Sequence, residues 1–137
     1  MLKKLKNHIK TKPRLYDAFN AIRPINYDAG IWLNKFSKNK NGRVRFIQVG
    51  ANDGLRWDPI RKFILRDNWS GVLIEPIYSV YKILKENYSY VKAELFFEHC
   101  AISNTNADFI DFWSCSDEFL NSLTLEEKLY YLRKSSL

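Results

Sequence analysis

The chain has 137 residues, 46% of them hydrophobic, and a formal net charge of +7, which suits one folded domain. It contains no run of 18 apolar residues, and its basic N-terminus lacks the features of a signal peptide. We therefore expect neither a transmembrane helix nor a secretory leader. Two cysteines, Cys100 and Cys115, indicate free thiols in a reducing, cytoplasmic compartment. The two histidines are far apart in sequence and lack ligand spacing, so no metal site is predicted.

The positive charge is concentrated near the N-terminus. Residues 1–45 carry 12 basic and 2 acidic side chains, whereas residues 46–137 carry 10 and 13. Within residues 1–12, apolar residues recur at helical steps among lysines, which predicts a short basic amphipathic helix. Such a helix either contacts an anionic membrane surface weakly or is a solvated helix packed on the domain, and we favour the second interpretation. No aromatic residue is interleaved with the lysines, so no nucleic-acid partner is expected.

Two further helices are predicted before the first strand. Apolar residues at helical spacing occur within residues 15–25 and 27–36. Asn41 and Gly42 then mark a turn. We interpret residues 1–40 as a basic helical segment that leans on a sheet formed by the remainder of the chain.

The first predicted strand leads into a glycine loop. Val44 to Val49 is a β-branched and apolar run, and residues 50–54 read Gly-Ala-Asn-Asp-Gly. A strand that ends in such a loop is the usual cradle for a nucleotide-like cofactor, because glycine accepts a positive φ and lets the backbone approach a ligand. The loop lacks the second glycine of the dinucleotide pattern, which disfavours NAD. S-adenosylmethionine (SAM) has no pyrophosphate, and its amino-acid end would contact Asn52 and Asp53, the latter through charge on the ammonium.

A second predicted strand, Gly71–Glu75, ends in an acid. Glu75 lies 21 positions after Gly54, and an acid about 20 residues beyond a glycine loop is placed to hydrogen-bond both ribose hydroxyls. Pro76 disfavours helical geometry at Glu75 and so keeps this acid on an extended strand end. The alternative interpretation is an ordinary strand-end acid.

Helices and strands alternate through the rest of the chain. Asp58 and Pro59 form a helix start, as N-cap and first helical residue, and residues 77–88 have apolar positions at helical spacing. Leu95–Ile102 and Phe109–Trp113 are predicted as the third and fourth strands. This alternation predicts an α/β fold with a parallel, Rossmann-like sheet flanked by helices.

A last helix is predicted near the C-terminus. Thr124 and Glu127 have the spacing of a capping box. The apolar residues that follow them predict a helix running to about Lys134.

The stretch 46–54, Phe-Ile-Gln-Val-Gly-Ala-Asn-Asp-Gly, followed by Ile74, Glu75 and Pro76, resembles the FkbM family of SAM-dependent methyltransferases. The resemblance extends over about Arg45–Trp113. It implies a class I methyltransferase fold, SAM as cofactor, and O-methylation of a sugar or similar hydroxyl on a small-molecule or glycan substrate. It also implies which residues contact the methionine part, the ribose and the adenine of SAM. These are Gly50, Asn52 and Gly54 for the methionine part, Glu75 for the ribose, and Ala101 and Ile102 near the adenine.

The chain departs from the family in two respects. Gln48 stands where many members carry an aspartate, and the family domain continues well beyond 137 residues. Residues 41–137 would then be the N-terminal half of a SAM-binding domain. Three explanations stay open: a fragment of a longer product, which we favour; a truncated non-catalytic remnant or interaction module; and a half-domain completed by another chain.

No catalytic base is identified from the sequence, and Asp53 and His99 are weak candidates. Asp53 has an alternative role as a cap of its own loop, through hydrogen bonds to nearby backbone N–H groups. His99, at the end of the third predicted strand, is better interpreted as a structural histidine.

Overall fold

The computed structural model describes residues 12–104, 115–124, 127, 128 and 131. Helices and strands alternate from the first strand onward, after two N-terminal helices. In chain order the elements are α1 (Pro13–Ala21), α2 (Asp28–Asn39), β1 (Arg45–Val49), α3 (Arg61–Asp67), β2 (Ser70–Ile74), α4 (Tyr78–Tyr88), β3 (Leu95–Glu98) and α5 (Asp117–Asn121).

The three strands form one parallel sheet in the order β1-β2-β3. Val49 is aligned with Ile74, and Ile74 with Glu98, so all three strands end at the same edge. Helix α3 connects β1 to β2, and α4 connects β2 to β3, as parallel strands require a crossover. The predicted α/β class, with a parallel sheet flanked by helices, is confirmed.

One face of the sheet forms the main core. Phe63 and Ile64 of α3, Leu73 of β2 and Leu84 of α4 have no exposed surface, and they belong to one apolar cluster. Burying such side chains supplies most of the free energy that favours folding. Helices α3 and α4 are thereby fixed against the sheet, which also fixes the loops that precede them.

Strand β1 shows the alternation of a sheet covered on one side. Phe46 packs against the core and Gln48 is half-buried, whereas Ile47 and Val49 are 73% and 61% exposed. Successive side chains of a strand point to opposite faces. Among the described residues, the second face of β1 therefore remains largely open.

The N-terminal helices α1 and α2 both contact α3. The helical segment was predicted to lean on the sheet, whereas its described part packs mainly on this helix. Helix α1 buries none of its residues, while Leu33 and Phe36 of α2 pack against the core. Trp69 donates from its indole N–H to Ser37 Oγ at 2.9 Å. Helix α2 is therefore joined to the core by apolar contacts, and α1 by polar ones.

Two predicted boundaries are corrected by the structure. The helix predicted to begin at Asp58 and Pro59 begins at Arg61, yet Asp58 Oδ1 accepts the N–H groups of Ile60 (2.9 Å) and Arg61 (3.1 Å). The predicted N-cap is wrong, because Ile60 and not Asp58 occupies that position. Asp58, two residues earlier, still satisfies backbone N–H groups at the start of the helix. The helix predicted within residues 15–25 ends at Ala21.

The third strand ends at Glu98 and not at Ile102. Its partner β2 ends at Ile74, and the last ladder contact is the Glu75 N–H, which donates to Glu98 O at 3.1 Å. Strand β2 therefore offers no further hydrogen-bond partner to the residues that follow Glu98.

Near the C-terminus, Thr124 Oγ1 donates to Glu127 Oε2 at 2.7 Å, and the Thr124 N–H donates to the same oxygen at 3.0 Å. The predicted capping box is confirmed. The basic helix predicted at residues 1–12, apart from Lys12, and the fourth strand predicted at 109–113 lie outside the described residues. Within the described part of the chain, no helix has the length and hydropathy needed to cross a membrane.

Candidate functional site

The glycine loop follows β1 at the edge where all three strands end. Gly50 and Gly54 have φ values of 70° and 62°, and Asn52 lies between them at 52°. The Ala51 N–H donates to Ile74 O at 2.9 Å, and the Gly54 N–H donates to Ala51 O at 3.1 Å. The loop thus begins as an extension of the β1–β2 pairing and then turns sharply, as glycine permits.

The two glycines of the loop have different surroundings. A Cβ placed on Gly50 would have no atom within 4 Å, whereas one on Gly54 would lie 2.4 Å from Leu84 Cδ1 and from Tyr88 Cε2. Gly54 is therefore required for close packing of the loop on α4. Gly50 is required by its backbone conformation, and the space beside it is open to a ligand.

Glu75 connects the tip of β2 to the glycine loop. Its Oε2 accepts the Asn52 N–H at 2.9 Å, and its Oε1 accepts the Ile77 N–H at 3.0 Å. The residue is 4% exposed, and burial raises the pKa of its carboxyl, although the two backbone N–H groups oppose that rise. Each carboxylate oxygen can accept a second hydrogen bond, so the group keeps capacity for ligand hydroxyls.

The side-chain amide of Asn52 makes a hydrogen bond within the loop through its oxygen. Its Oδ1 accepts the Asp53 N–H at 2.8 Å. The Nδ2 amino group remains as a donor, and a donor at this position suits the carboxylate of an amino-acid ligand.

Asp53 is directed into its own loop. Its Oδ1 accepts the N–H groups of Leu55 and Arg56, both at 3.0 Å, and the residue is 1% exposed. These are the contacts of the capping interpretation. The contact of Asp53 with a ligand ammonium stays a prediction.

The segment predicted near the adenine, Ala101 and Ile102, lies three and four residues beyond Glu98, the last residue of β3. Ala101 is half-buried and Ile102 is 54% exposed. His99 Nε2 lies 2.9 Å from Pro76 O, and its ring is 5.3 Å from those of Tyr78 and Tyr81. These contacts agree with the structural interpretation of His99.

Sequence reasoning missed Arg61, which is 3% exposed and is hydrogen-bonded to the end of the glycine loop. Its Nη1 donates to Gly54 O at 2.8 Å, and its Nη2 donates to Asn87 O at 2.8 Å. Its Nε donates to Asp17 Oδ1 at 2.7 Å, and the ring of Tyr88 lies 4.4 Å from its guanidinium carbon. A guanidinium in the first turn of a helix opposes the helix dipole, and that mismatch was the available signal.

A second missed cluster surrounds the α3 cap. Tyr88 donates from its hydroxyl to Asp58 Oδ2 at 3.0 Å, and Gln48 Nε2 lies 3.4 Å from Asp58 Oδ1. Burial raises the pKa of Asp58, while the hydrogen bonds from Ile60, Tyr88 and Arg61 counteract that rise. Gln48 stands at the position where many members of the FkbM family carry an aspartate. In this chain its amide contacts the aspartate Asp58.

The fold and this edge define the chain as an α/β protein with a small three-stranded parallel sheet flanked by helices, which is compatible with a Rossmann-like fold. At the edge where the strands end, the glycine loop and the strand-tip acid Glu75 are hydrogen-bonded neighbours. No family model, no curated protein and no solved structure matches it. Within the described residues, no three His, Cys, Asp or Glu side chains are grouped so that they could hold a metal ion, and both cysteines are free thiols.

Proposed function

We propose that this chain is the cofactor-binding part of a SAM-dependent methyltransferase of the FkbM type. The observation that carries the proposal is the hydrogen bond from the Asn52 N–H to Glu75 Oε2 at 2.9 Å. It joins the glycine loop to the acid on the adjacent parallel strand, and open α/β sheets bind their ligands at this kind of edge.

The chemistry of the edge fits SAM better than a dinucleotide. The open space beside Gly50 accommodates a ligand close to the backbone, and Asn52 offers an amide donor to the methionine carboxylate. Glu75 would accept the ribose hydroxyls, with Ala101 and Ile102 beside the adenine. The loop offers no second glycine for a pyrophosphate.

In this proposal the protein acts mainly by positioning. SAM, when bound, supplies an activated methyl group on sulfur. The chain would orient the cofactor through the glycine loop, whose centre at Asn52 is held by Glu75 and whose end at Gly54 is held by Arg61. Alignment of the reacting atoms accounts for a large part of such catalysis. The acceptor, a sugar hydroxyl or a similar group, follows from the family resemblance alone.

One observation favours a second candidate, a non-catalytic remnant that keeps the fold. Both oxygens of Glu75 already hold backbone N–H groups, and the residue is 4% exposed. A purely structural acid would have the same contacts.

Calorimetric titration with SAM distinguishes the two candidates. We expect saturable binding by the wild type, weakened about tenfold or more in Glu75→Gln, since a hydrogen bond to a charged group contributes about 1.5–3 kcal/mol. Glu98→Gln is the matched control, because Glu98 is an exposed acid at the tip of the neighbouring strand. Folded wild type that does not bind SAM would support the remnant, and a Glu75→Gln variant that binds SAM as tightly as wild type would remove the ribose role given to Glu75. NAD⁺, titrated in parallel, is expected to give no heat of binding.

A further inference from the structure

A cavity of about 860 Å³ lies between α1 and α3. Its volume falls in the range of small-molecule sites, about 300–1,000 Å³. Neither Gly50 nor Glu75 lines it, so it is distinct from the edge cluster. It is nevertheless adjacent to the glycine loop, because Leu55, Trp57 and Asp58, which directly follow that loop, form part of its wall.

The cavity wall has an excess of positive charge. Its described lining includes five basic side chains, Arg14, Arg23, Arg61, Lys62 and Arg66, and two acidic ones, Asp17 and Asp58. Both acids are already engaged: Asp17 by Arg61, and Asp58 by the first turn of α3 and Tyr88. Arg66 is paired with Asp67, which lies outside the lining. No carboxylate of the described lining therefore remains to neutralise Arg14, Arg23 and Lys62.

Lys62 is held at the centre of this basic wall. Its Nζ donates to Arg23 O at 2.6 Å and to Asn20 O at 3.0 Å. Both acceptors are neutral carbonyls, so the ammonium charge is not compensated and the third N–H remains for a ligand. Burial and the nearby charges of Arg66 and Arg23 lower the pKa of Lys62, and all three residues line the same cavity.

The same lining also contains aromatic and apolar side chains. Tyr27 and Trp57 are 46% and 55% exposed while lining the cavity. Trp57 has a φ of 57°, a backbone conformation that is unfavourable for a bulky residue. Trp57 lies in the segment that leaves the glycine loop, and it lines the cavity.

We propose that the cavity between α1 and α3 binds an organic anion, with its phosphate or carboxylate group on Lys62 and Arg23 and its apolar body against Tyr27 and Trp57. Charge-assisted hydrogen bonds of this kind are the strong ones. If the proposed function holds, this anion is the acceptor, so the substrate would be a hydroxyl compound that also carries an acidic group. That assignment of role depends on the proposed function, whereas binding of the anion does not.

The test uses phenyl phosphate and phenylacetate as anionic probes and benzyl alcohol as their neutral counterpart, titrated calorimetrically into the full chain without SAM. At least one anion is expected to bind and benzyl alcohol is not; which anion binds identifies the acidic group. Lys62→Gln and Arg23→Gln are expected to weaken binding by about tenfold each. Lys62→Arg, which keeps the positive charge, is expected to retain most of the affinity for the anion.

Lys92→Gln is the matched control, since Lys92 is exposed and lies outside the cavity lining. The inference is overturned if neither anion binds, if benzyl alcohol binds equally well, or if both Gln variants bind like the Lys92→Gln control. SAM titrated into the same samples separates the two proposals. SAM binding without anion binding removes only the cavity proposal, and anion binding without SAM binding removes only the assigned cofactor.

Discussion

Asp17 and Arg61, 44 residues apart in the sequence, form an ion pair with two parallel hydrogen bonds: Nε to Oδ1 at 2.7 Å and Nη2 to Oδ2 at 2.9 Å. The side chains are 4% exposed for Arg61 and 13% exposed for Asp17. The same guanidinium holds the Gly54 carbonyl oxygen. One side chain therefore joins the N-terminal helix to the loop at the sheet edge.

Arg61→Ala is expected to lower the free energy of unfolding by about 3–5 kcal/mol, because removing one partner of a buried pair leaves the other charge uncompensated. Urea denaturation measures the loss. Arg66→Ala is the control: its pair with Asp67, at 2.6 Å, is 40% exposed on the arginine side and should contribute no more than about 1 kcal/mol. Similar losses of unfolding free energy in the two variants would contradict the role of Arg61 in joining α1 to the glycine loop.

Alanine at the two loop glycines is expected to have unequal effects. At Gly50 the cost is only that of a left-handed backbone, about 1–2 kcal/mol. At Gly54 the new methyl group also meets Leu84 and Tyr88 at 2.4 Å, which adds about 1–3 kcal/mol of overpacking. Thermal or urea unfolding of both variants measures the difference, and equal stability would show that the loop does not pack on α4 as described.

The stability difference between wild type and Glu75→Gln is expected to depend on pH. Burial raises the pKa of Glu75 in the folded state above 4.5, its usual value, so folding favours the protonated form. The contribution of this group is therefore fully present below pH 4.5 and is lost as the pH rises through the higher folded pKa. Urea unfolding from pH 4 upward should show wild type losing stability relative to Glu75→Gln across that window. A stability difference between wild type and Glu75→Gln that does not change with pH would contradict the raised pKa of Glu75 in the folded state.

Tyr88→Phe is expected to destabilise the fold by about 1.5–3 kcal/mol, because it removes the hydroxyl that donates to the buried Asp58 carboxylate. The loss should be larger at pH 8 than at pH 4, since the hydrogen bond favours the ionised acid. Tyr78→Phe is the matched control, as Tyr78 is 59% exposed. Equal effects of the two substitutions, measured by urea unfolding, would remove the role given to the hydroxyl.

The strands and the edge cluster were predictable because their signals are local. The β-branched run before Gly50 and the acid before Pro76 each indicate a structure within a few residues. The predicted first and second strands agree with β1 and β2 to within one residue at each end. Parallel pairing then brings the two strand tips together at one edge.

Arg61 was not predictable, because its partners are distant in the sequence. Asp17 precedes it by 44 residues and Tyr90 follows it by 29, and neither separation leaves a periodic pattern. The end of β3 was missed for a related reason: the apolar run continues past Glu98, but the partner strand does not. Spatial neighbours decide both features.

The contacts of Asp17 also set an order of events during synthesis. Helix α1 is made before the elements that hold it, and Tyr90, whose hydroxyl donates to Asp17, is made 73 residues after Asp17. At about 5–20 residues per second, roughly 4–15 s pass between the two. Arg61 is made 44 residues after Asp17 and Tyr90 only 73 residues after it, so the contacts of Asp17 are complete only late in this interval. Helix α1, which buries none of its residues even in the folded chain, is therefore accessible to chaperones and proteases until residue 90 has been made.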